Sequence, residues 1–280
     1  MIIFRQKDEF PSLVSEQLSS IQIDYKEKYR QIENSARSNN PELAAGVVLL
    51  IHYKQLSPGN SEYVFQLIKR SNKVSQAGDI SCPGGILNPV VDKNFRNTLK
   101  RCLTPLTSFG NNSTIFSQDK HTNDLINLFL ANALREACEE IGLNPFKVIF
   151  LGALPCYSLT LIARTIFPVV CLTPEPFEFK LNPEVEKILE IPLSHFLDAS
   201  RFAFLEVETP FDNYYSIHKN QFPCMVITDN QGVQEILWGA TFNIIMNFLR
   251  IISGTTLSVP SSARTIKKIL SHTYISGNSK

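Results

Sequence analysis

Hydrophobic positions in the first forty residues recur at the spacing of an amphipathic helix. The apolar side chains stand three or four residues apart, at Phe10, Leu13, Val14, Leu18 and Ile21. The polar stretch NSARSNNPE, rich in turn-forming residues, then interrupts this pattern. The pattern therefore predicts a helical extension over residues 1–40, ahead of a main domain.

The apolar runs that follow are typical of a sheet. AAGVVLLIHYK predicts a buried strand, EYVFQLIKR predicts its neighbour, and the turn formers in QLSPGNS between them indicate a hairpin. Further strands are predicted in KVIFLGALP, LIARTIFPVVCLT, FAFLEVET and PCMVITD. NPEVEKILEIPLSHFLDA predicts a strand and a turn with a short helix at its end. Together with two helices, Leu125–Glu140 and ATFNIIMNFLRII, these elements predict an α/β fold.

The main domain is expected over residues 41–253, with one polar region inserted in it and another following it. Residues 92–123 are rich in Asn, Ser, Thr and Lys, which predicts a long, mobile surface insertion. Past Ser253 the chain is Ser/Thr-rich and basic, and no element is predicted in this tail, residues 254–280.

Composition excludes a binder that works through general positive charge. The 280 residues carry a formal net charge of +1, so a polyanion would have to be met by a local site and no nucleic-acid partner is expected. None of the six cysteines forms a CxxC pair, which favours reduced thiols. We expect a cytoplasmic protein with no membrane partner, because the N-terminus lacks the pattern of a signal peptide and no apolar run approaches the ~20 residues of a membrane span.

The helix predicted over Leu125–Glu140 carries three carboxylates at one end. Glu136, Glu139 and Glu140 stand at i, i+3 and i+4, so they share one arc of the helix beside its apolar stripe. Like charges near the negative end of a helix dipole are unfavourable, unless a hard cation such as Mg²⁺ or Mn²⁺ lies among them. Taken alone, such a spacing is more often a solvated helix face, so the flanking residues decide.

Those flanking residues resemble a known family. Arg135–Leu143 reads REACEEIGL and matches REUxEExGU, the second half of the Nudix box, where U is aliphatic. SCPGG, with Gly84 and Gly85, resembles the glycine pair that opens the box. Gly85 and Arg135 stand fifty positions apart, which indicates an insertion between the halves. Asp92 would be the acidic residue of the first half, one place later than the pattern asks.

Three further segments resemble the coenzyme A-directed branch of the Nudix hydrolases. They are RSNKVSQAGDISCPGG, NPEVEKILEIPLSHFLD and the ILWGAT that ends at Thr241. The sequence departs from that branch at two positions: Val74 stands where the branch has Arg, and Cys82 stands where it has Phe before PGG.

The resemblance implies a Nudix-type α/β/α sandwich with a mixed sheet, and metal-dependent hydrolysis of a phosphoanhydride bond in a nucleotide-like small molecule. Coenzyme A or acyl-CoA would be cut to 3′,5′-ADP and (acyl-)phosphopantetheine. The residues implied are the metal ligands Glu136, Glu139 and Glu140, their orienting partner Arg135, and the substrate-binding residues Lys69, Arg70, Lys73, Gly84 and Gly85.

Several alternatives stay open at this point. The substrate could be ADP-ribose, a nucleoside diphosphate sugar, NADH or a dinucleotide polyphosphate, and a Nudix domain could also serve as a non-catalytic binding module. Glu136, Glu184 and Glu186 are all candidates for the general base. The cationic trio of Lys69, Arg70 and Lys73 could equally be solvated charges at a strand end. A homodimer is left open, and Trp238 is expected to be a core anchor.

Overall fold

The computed structural model describes residues 2–39, 41–101, 118–159, 162–208, 221–229, 231–271 and 274. It contains two sheets and five α-helices in these ranges. The larger sheet consists of β1 (Leu43–Ser57), β2 (Asn60–Arg70), β3 (Ile80–Ser81), β4 (Gly84–Ile86), β5 (Ile149–Ala153), β6 (Tyr157–Ser158), β7 (Arg164–Thr173) and β8 (Val185–Pro192). The smaller sheet consists of β9 (Phe202–Glu208), β10 (Gln221–Thr228), β11 (Gln234–Trp238) and β12 (Arg264–Ile269). The helices are α1 (Glu9–Ser20), α2 (Tyr25–Ser35), α3 (Pro89–Arg101), α4 (Lys120–Ile141) and α5 (Gly239–Ser253).

Strand β1 lies at the centre of the larger sheet. It pairs antiparallel with β2, with Leu50 opposite Gln66, and parallel with β7, with Leu43 opposite Arg164. β1 and β2 are joined by a tight turn in which Gly59 has a φ of 77°, so the predicted hairpin is confirmed. β4 also pairs with β1, and β8 pairs with β2, which extends the sheet on both sides of the hairpin.

Helices cover both faces of this sheet because successive strand residues point to opposite sides. Leu49 and Ile51 of β1 pack in one cluster with α1 and α5, whereas Val48 and Leu50 pack in another cluster with α2 and α4. The predicted mixed α/β fold is confirmed. The predicted N-terminal helix is present as α1, and α2 follows it and packs against α4, where Tyr25 contacts the ring of Phe129 edge-on.

The smaller sheet includes a strand that the sequence did not predict. No element was predicted in the C-terminal tail, residues 254–280, but β12 pairs parallel with β9, with Arg264 opposite Ala203 and Ile269 opposite Glu208. The sequence pattern therefore missed this strand. Trp238 is 9% exposed and belongs to the apolar cluster on this sheet, as expected for a core anchor.

The predicted surface insertion over residues 92–123 also needs correction. Residues 92–101 lie in α3, where Asp92 and Leu99 are fully buried, and Asp119 caps the start of α4. The polar composition concealed a single buried row at helical spacing, namely Asp92, the partly buried Phe95, and Leu99. Residues 102–117, which include the turn formers Pro105 and Gly110, lie outside the described part of the chain.

Within the described ranges, no helix is long and apolar enough to cross a membrane. The five described cysteines are free thiols; Cys82, Cys171 and Cys224 are buried, and Cys138 is exposed on α4. This arrangement agrees with the prediction of reduced thiols, and Cys102 lies outside the described residues.

Candidate active site

The end of α4 brings the three predicted glutamates to one edge of the larger sheet. The helix ends at Gly142, which adopts the left-handed conformation with a φ of 72°. Along the helix the three side chains have different surroundings. Glu140 is 4% exposed, whereas the side chains of Glu136 and Glu139 are 20% and 57% exposed. The arc predicted from the spacing thus runs from the buried interior to solvent.

The two glycines of SCPGG lie directly against these glutamates. The backbone N–H of Gly84 donates to Oε2 of Glu140 at 2.9 Å. A Cβ atom added to Gly85 would lie 2.6 Å from Oε2 of Glu136, so a larger residue there would displace this carboxylate. Residues about fifty positions apart in sequence therefore meet at one site, as the resemblance implied.

A buried ion pair fixes the helix beside this site. The carboxylate of Asp92 is fully buried and accepts from the backbone N–H of Asn88 at 2.7 Å and from Nε of Arg135 at 2.7 Å. Arg135 also reaches Glu136 at 2.6 Å and Glu139 at 3.1 Å. One guanidinium thus contacts three carboxylates. Asp92 lies against Arg135 although it stands one position later in the sequence than the acidic residue of the Nudix pattern.

Asn132 is a structural residue of the site that sequence reasoning missed. It is fully buried; its Oδ1 accepts from the N–H of Gly46 at 2.7 Å, and its Nδ2 donates to Asp92 at 3.0 Å. The side chain therefore links β1, α3 and α4 at one point. A polar residue within the apolar stripe of α4 is the signal that could have identified it.

The buried end of this arrangement disfavours the charged form of its carboxyl groups. Burial raises the pKa of Glu140 to about 8, against the opposing effects of the Gly84 N–H and of the charge of Arg70. Burial likewise raises the pKa of Glu136, although Arg135 acts against this shift. In both groups the effect of burial on the pKa exceeds that of the neighbouring donors and positive charges.

The donor chemistry of the glutamates fits a hard divalent cation, because carboxylate oxygens are the ligands that Mg²⁺ and Mn²⁺ prefer. Across the described ranges, however, no three His, Cys, Asp or Glu side chains converge closely enough to hold a metal ion. Glu139 points to Arg135, which keeps it from converging with Glu140. The metal-binding role of the three glutamates therefore stays a prediction.

The predicted cationic trio is divided by the strand on which it lies. Arg70 is near enough to Glu140 for its charge to act there, and its Nε donates to the carbonyl of Ser75 at 2.9 Å. Lys69 instead pairs with Glu235 at 2.9 Å and with Glu186 at 3.0 Å, because neighbouring strand residues point to opposite faces. Lys73 is exposed on the loop that follows. Lys69 thus does not form one patch with Arg70, contrary to the expectation from sequence.

The two later candidates for the general base have different neighbours. Glu186 is engaged by Lys69, whereas the charge of Glu184 is among the groups that act on Glu140. Glu184 precedes β8 and is exposed, and its carbonyl accepts from the N–H of Ser71 at 2.8 Å. Of these two residues, Glu184 is the one whose charge acts on Glu140.

Comparison with known sequences finds a relative that is named as a Nudix hydrolase. No family model matches the chain. Over 118 residues it is 35% identical to a protein of Photorhabdus laumondii named as the uncharacterized Nudix hydrolase NudL. The matched region covers 41% of this chain and 56% of that protein, so the chain spans little more than half of that relative's length.

Solved Nudix structures show a more distant likeness. A Nudix hydrolase from Alicyclobacillus acidocaldarius is 14% identical over 55% of this chain and 81% of its own, with a TM-score of 0.37. The Nudix domain of Shewanella oneidensis NrtR, solved with ADP-ribose, is 14% identical over 61% of this chain and 86% of its own, with a TM-score of 0.34. The sequence relative is therefore the comparison that supports the resemblance to the Nudix superfamily.

Proposed function

We propose that this chain is a Nudix-type hydrolase that cleaves a phosphoanhydride bond in a small molecule linked to a nucleoside diphosphate. The single observation that carries the proposal is the contact between Gly84–Gly85 and the end of α4. There the two separated halves of the box-like sequence come together: Glu136 lies against Gly85, and Glu140 accepts from the backbone N–H of Gly84. The 35% identity to a Nudix hydrolase supports the same conclusion.

In this proposal Glu136, Glu139 and Glu140 hold Mg²⁺ or Mn²⁺, which requires Glu139 to turn away from Arg135. When bound, a divalent ion neutralises charge on the phosphoryl oxygens and activates water. The chain itself would supply the positioning: Asp92 fixes Arg135, and Arg135 orients Glu136 and Glu139. Glu184 is our candidate for accepting the proton of the attacking water, since its charge acts on Glu140 and it is not engaged by Lys69.

Within this class we propose coenzyme A or an acyl-CoA as the substrate, with 3′,5′-ADP and (acyl-)phosphopantetheine as products. The support is the resemblance of RSNKVSQAGDISCPGG, NPEVEKILEIPLSHFLD and ILWGAT to the coenzyme A-directed branch. Arg70 beside Glu140 and the exposed Lys73 are the cations available for phosphate groups, including a ribose 3′-phosphate.

A hydrolysis panel tests both levels of the proposal. Coenzyme A, dephospho-coenzyme A, ADP-ribose, NADH and diadenosine polyphosphates would each be incubated with Mg²⁺ or Mn²⁺, with a parallel series in excess EDTA. We expect metal-dependent cleavage, with coenzyme A clearly preferred over dephospho-coenzyme A. Full turnover in EDTA would contradict the proposed chemistry, whereas a preference for ADP-ribose would contradict only the substrate.

The panel also separates the enzyme from a binding module. A non-catalytic domain would bind one of these nucleotides in calorimetry without cleaving it under any metal condition. Retention of Glu136, Glu139 and Glu140 in the chain favours the enzyme.

A further inference from the structure

The loop between β2 and β3, residues 71–79, determines where Arg70 lies. Its base is closed by two backbone hydrogen bonds, from Arg70 to Asp79 and from Gly78 to Arg70, each of 2.9 Å. Across the loop, Nε of Arg70 donates to the carbonyl of Ser75 at 2.9 Å. The guanidinium is therefore held by the loop itself, and a change in loop shape would move it.

The loop adopts a conformation that needs outside support. Gln76 has a φ of 56° and Gly78 a φ of 75°, and the left-handed region is unfavourable for a residue with a side chain. The backbone N–H of Gln76 donates to the carbonyl of Tyr274 at 2.6 Å. A residue almost two hundred positions away thus contacts the loop at its most strained point.

The carboxylate of Asp79 joins the same loop to the smaller sheet. It accepts from Nε1 of Trp238 at 3.0 Å, from Nζ of Lys268 at 2.6 Å, and from the hydroxyl of Tyr274. Nζ of Lys268 also lies 5.3 Å from the centroid of the Trp238 ring. Three donors from distant parts of the chain converge on one carboxylate with a side chain only 13% exposed. None of these groups takes part in the chemistry proposed above.

Arg70 connects this cluster to the candidate active site. Its guanidinium lies close enough to the carboxyl of Glu140 and to the phenol of Tyr274 for its charge to oppose the rise in pKa that burial causes in both. Because the pKa of Tyr274 is raised overall, its hydroxyl stays protonated and continues to donate to Asp79.

We propose that Asp79, with Lys268 and Tyr274, is a positioning cluster that holds loop 71–79 and thereby places Arg70 for binding a substrate phosphate. The inference rests on the proposed function, because Arg70 is taken there to meet phosphate. It assigns a role in substrate binding to β12 and Tyr274, in a part of the chain where the sequence alone predicted no element.

Hydrogen exchange tests the positioning role without any substrate. In Asp79→Asn and Tyr274→Phe we expect the amides of Gln76 and Gly78 to exchange about 10-fold faster, in line with the loss of a hydrogen bond to a charged group. Amides of β1 and α4 should be unchanged. Asp229→Asn is the matched control, because Asp229 also pairs with a lysine, Lys187 at 2.5 Å, but closes the turn between β10 and β11.

Binding of 3′,5′-ADP in EDTA then tests the consequence for phosphate recognition. We expect the Kd to rise about 5- to 10-fold in both variants and to stay unchanged in Asp229→Asn. With coenzyme A as substrate, KM should rise by a similar factor while kcat stays within about 2-fold, because Glu136, Glu139 and Glu140 are untouched. Far-UV circular dichroism shows whether each variant remains folded.

Several outcomes would overturn the inference. One is unchanged exchange at Gln76 and Gly78, and another is a fall in kcat with KM unchanged. If Asp79→Asn fails to fold, the milder Tyr274→Phe decides. If the unmodified chain hydrolyses no substrate, only the proposed function fails, because the exchange experiment contains no substrate and still shows whether the cluster holds the loop.

Discussion

Two aspartates, Asp92 and Asp79, anchor opposite sides of the candidate site, and they are satisfied in different ways. Asp92 is fully buried and receives its donors from α4 and from the backbone just before it. Asp79 is slightly exposed and receives its donors from Trp238, Lys268 and Tyr274, which come from the smaller sheet and beyond. Asp92 thus fixes a helix and Asp79 fixes a loop.

The difference indicates which functions each can serve. The buried pair of Asp92 and Arg135 leaves little freedom at the end of α4, where the proposed metal ligands would have to keep fixed positions. The loop anchored by Asp79 is held by a few side-chain contacts and strained backbone, so it can yield more readily. We therefore expect substitutions near Asp92 to affect chemistry and global stability, and substitutions near Asp79 to affect substrate binding and local order.

The largest effect should come from Glu140→Gln. The substitution removes a charge at the rigid side of the site while the amide oxygen can still accept from Gly84, so we expect activity to fall at least about 100-fold. Stability should be retained or improved, because burial disfavours the charged form of Glu140, whereas the Gln side chain is always neutral. Steady-state kinetics and thermal melts check this; near-normal turnover with a lower Tm would assign a purely structural role.

Asp92→Asn should cost the most stability. It leaves Arg135 beside two glutamates without its buried partner, and we expect a loss of about 3 kcal/mol in the free energy of unfolding. Asp124→Asn is the matched control, since Lys100 and Asp124 join the same two helices through an exposed pair at 3.4 Å. That control should change stability by less than about 0.5 kcal/mol in urea unfolding. Similar losses for both variants would remove the distinction.

Asp79→Asn should have a smaller effect on global stability than Asp92→Asn, about 1–2 kcal/mol, because its carboxylate retains some contact with solvent. Urea unfolding of the two variants side by side measures this difference. If Asp79→Asn were as destabilising as Asp92→Asn, Asp79 would hold the fold as a whole instead of one loop.

The sequence predicted well what depends on local pattern. The β1–β2 hairpin, the helix over Leu125–Glu140 and the common arc of its three glutamates follow from patterns within short stretches of sequence. The meeting of Gly85 with Glu136 followed from the family resemblance, since nothing in local periodicity joins positions so far apart.

What the sequence could not supply were partners distant along the chain. β12 is a short strand with mostly exposed side chains, and its place is set by pairing with β9. Asn132 has a clear role only once Gly46 and Asp92 are seen beside it. Helix α3 was obscured because its polar composition resembles a loop, although its buried positions keep helical spacing.

The smallest effect should come from residues 102–117, the part of the expected insertion that lies between α3 and α4. Replacing them with a Gly/Ser linker of equal length should change the free energy of unfolding by less than about 1 kcal/mol, because the replacement keeps the loop length on which closure entropy depends. Replacing the whole of residues 92–123 should instead destabilise the protein strongly, since this removes Asp92, the buried Leu99 and the cap at Asp119. Thermal melts of the two replacements check the boundary: equal stability would place α3 outside the packed fold, and strong destabilisation by the shorter replacement would show that residues 102–117 pack against it.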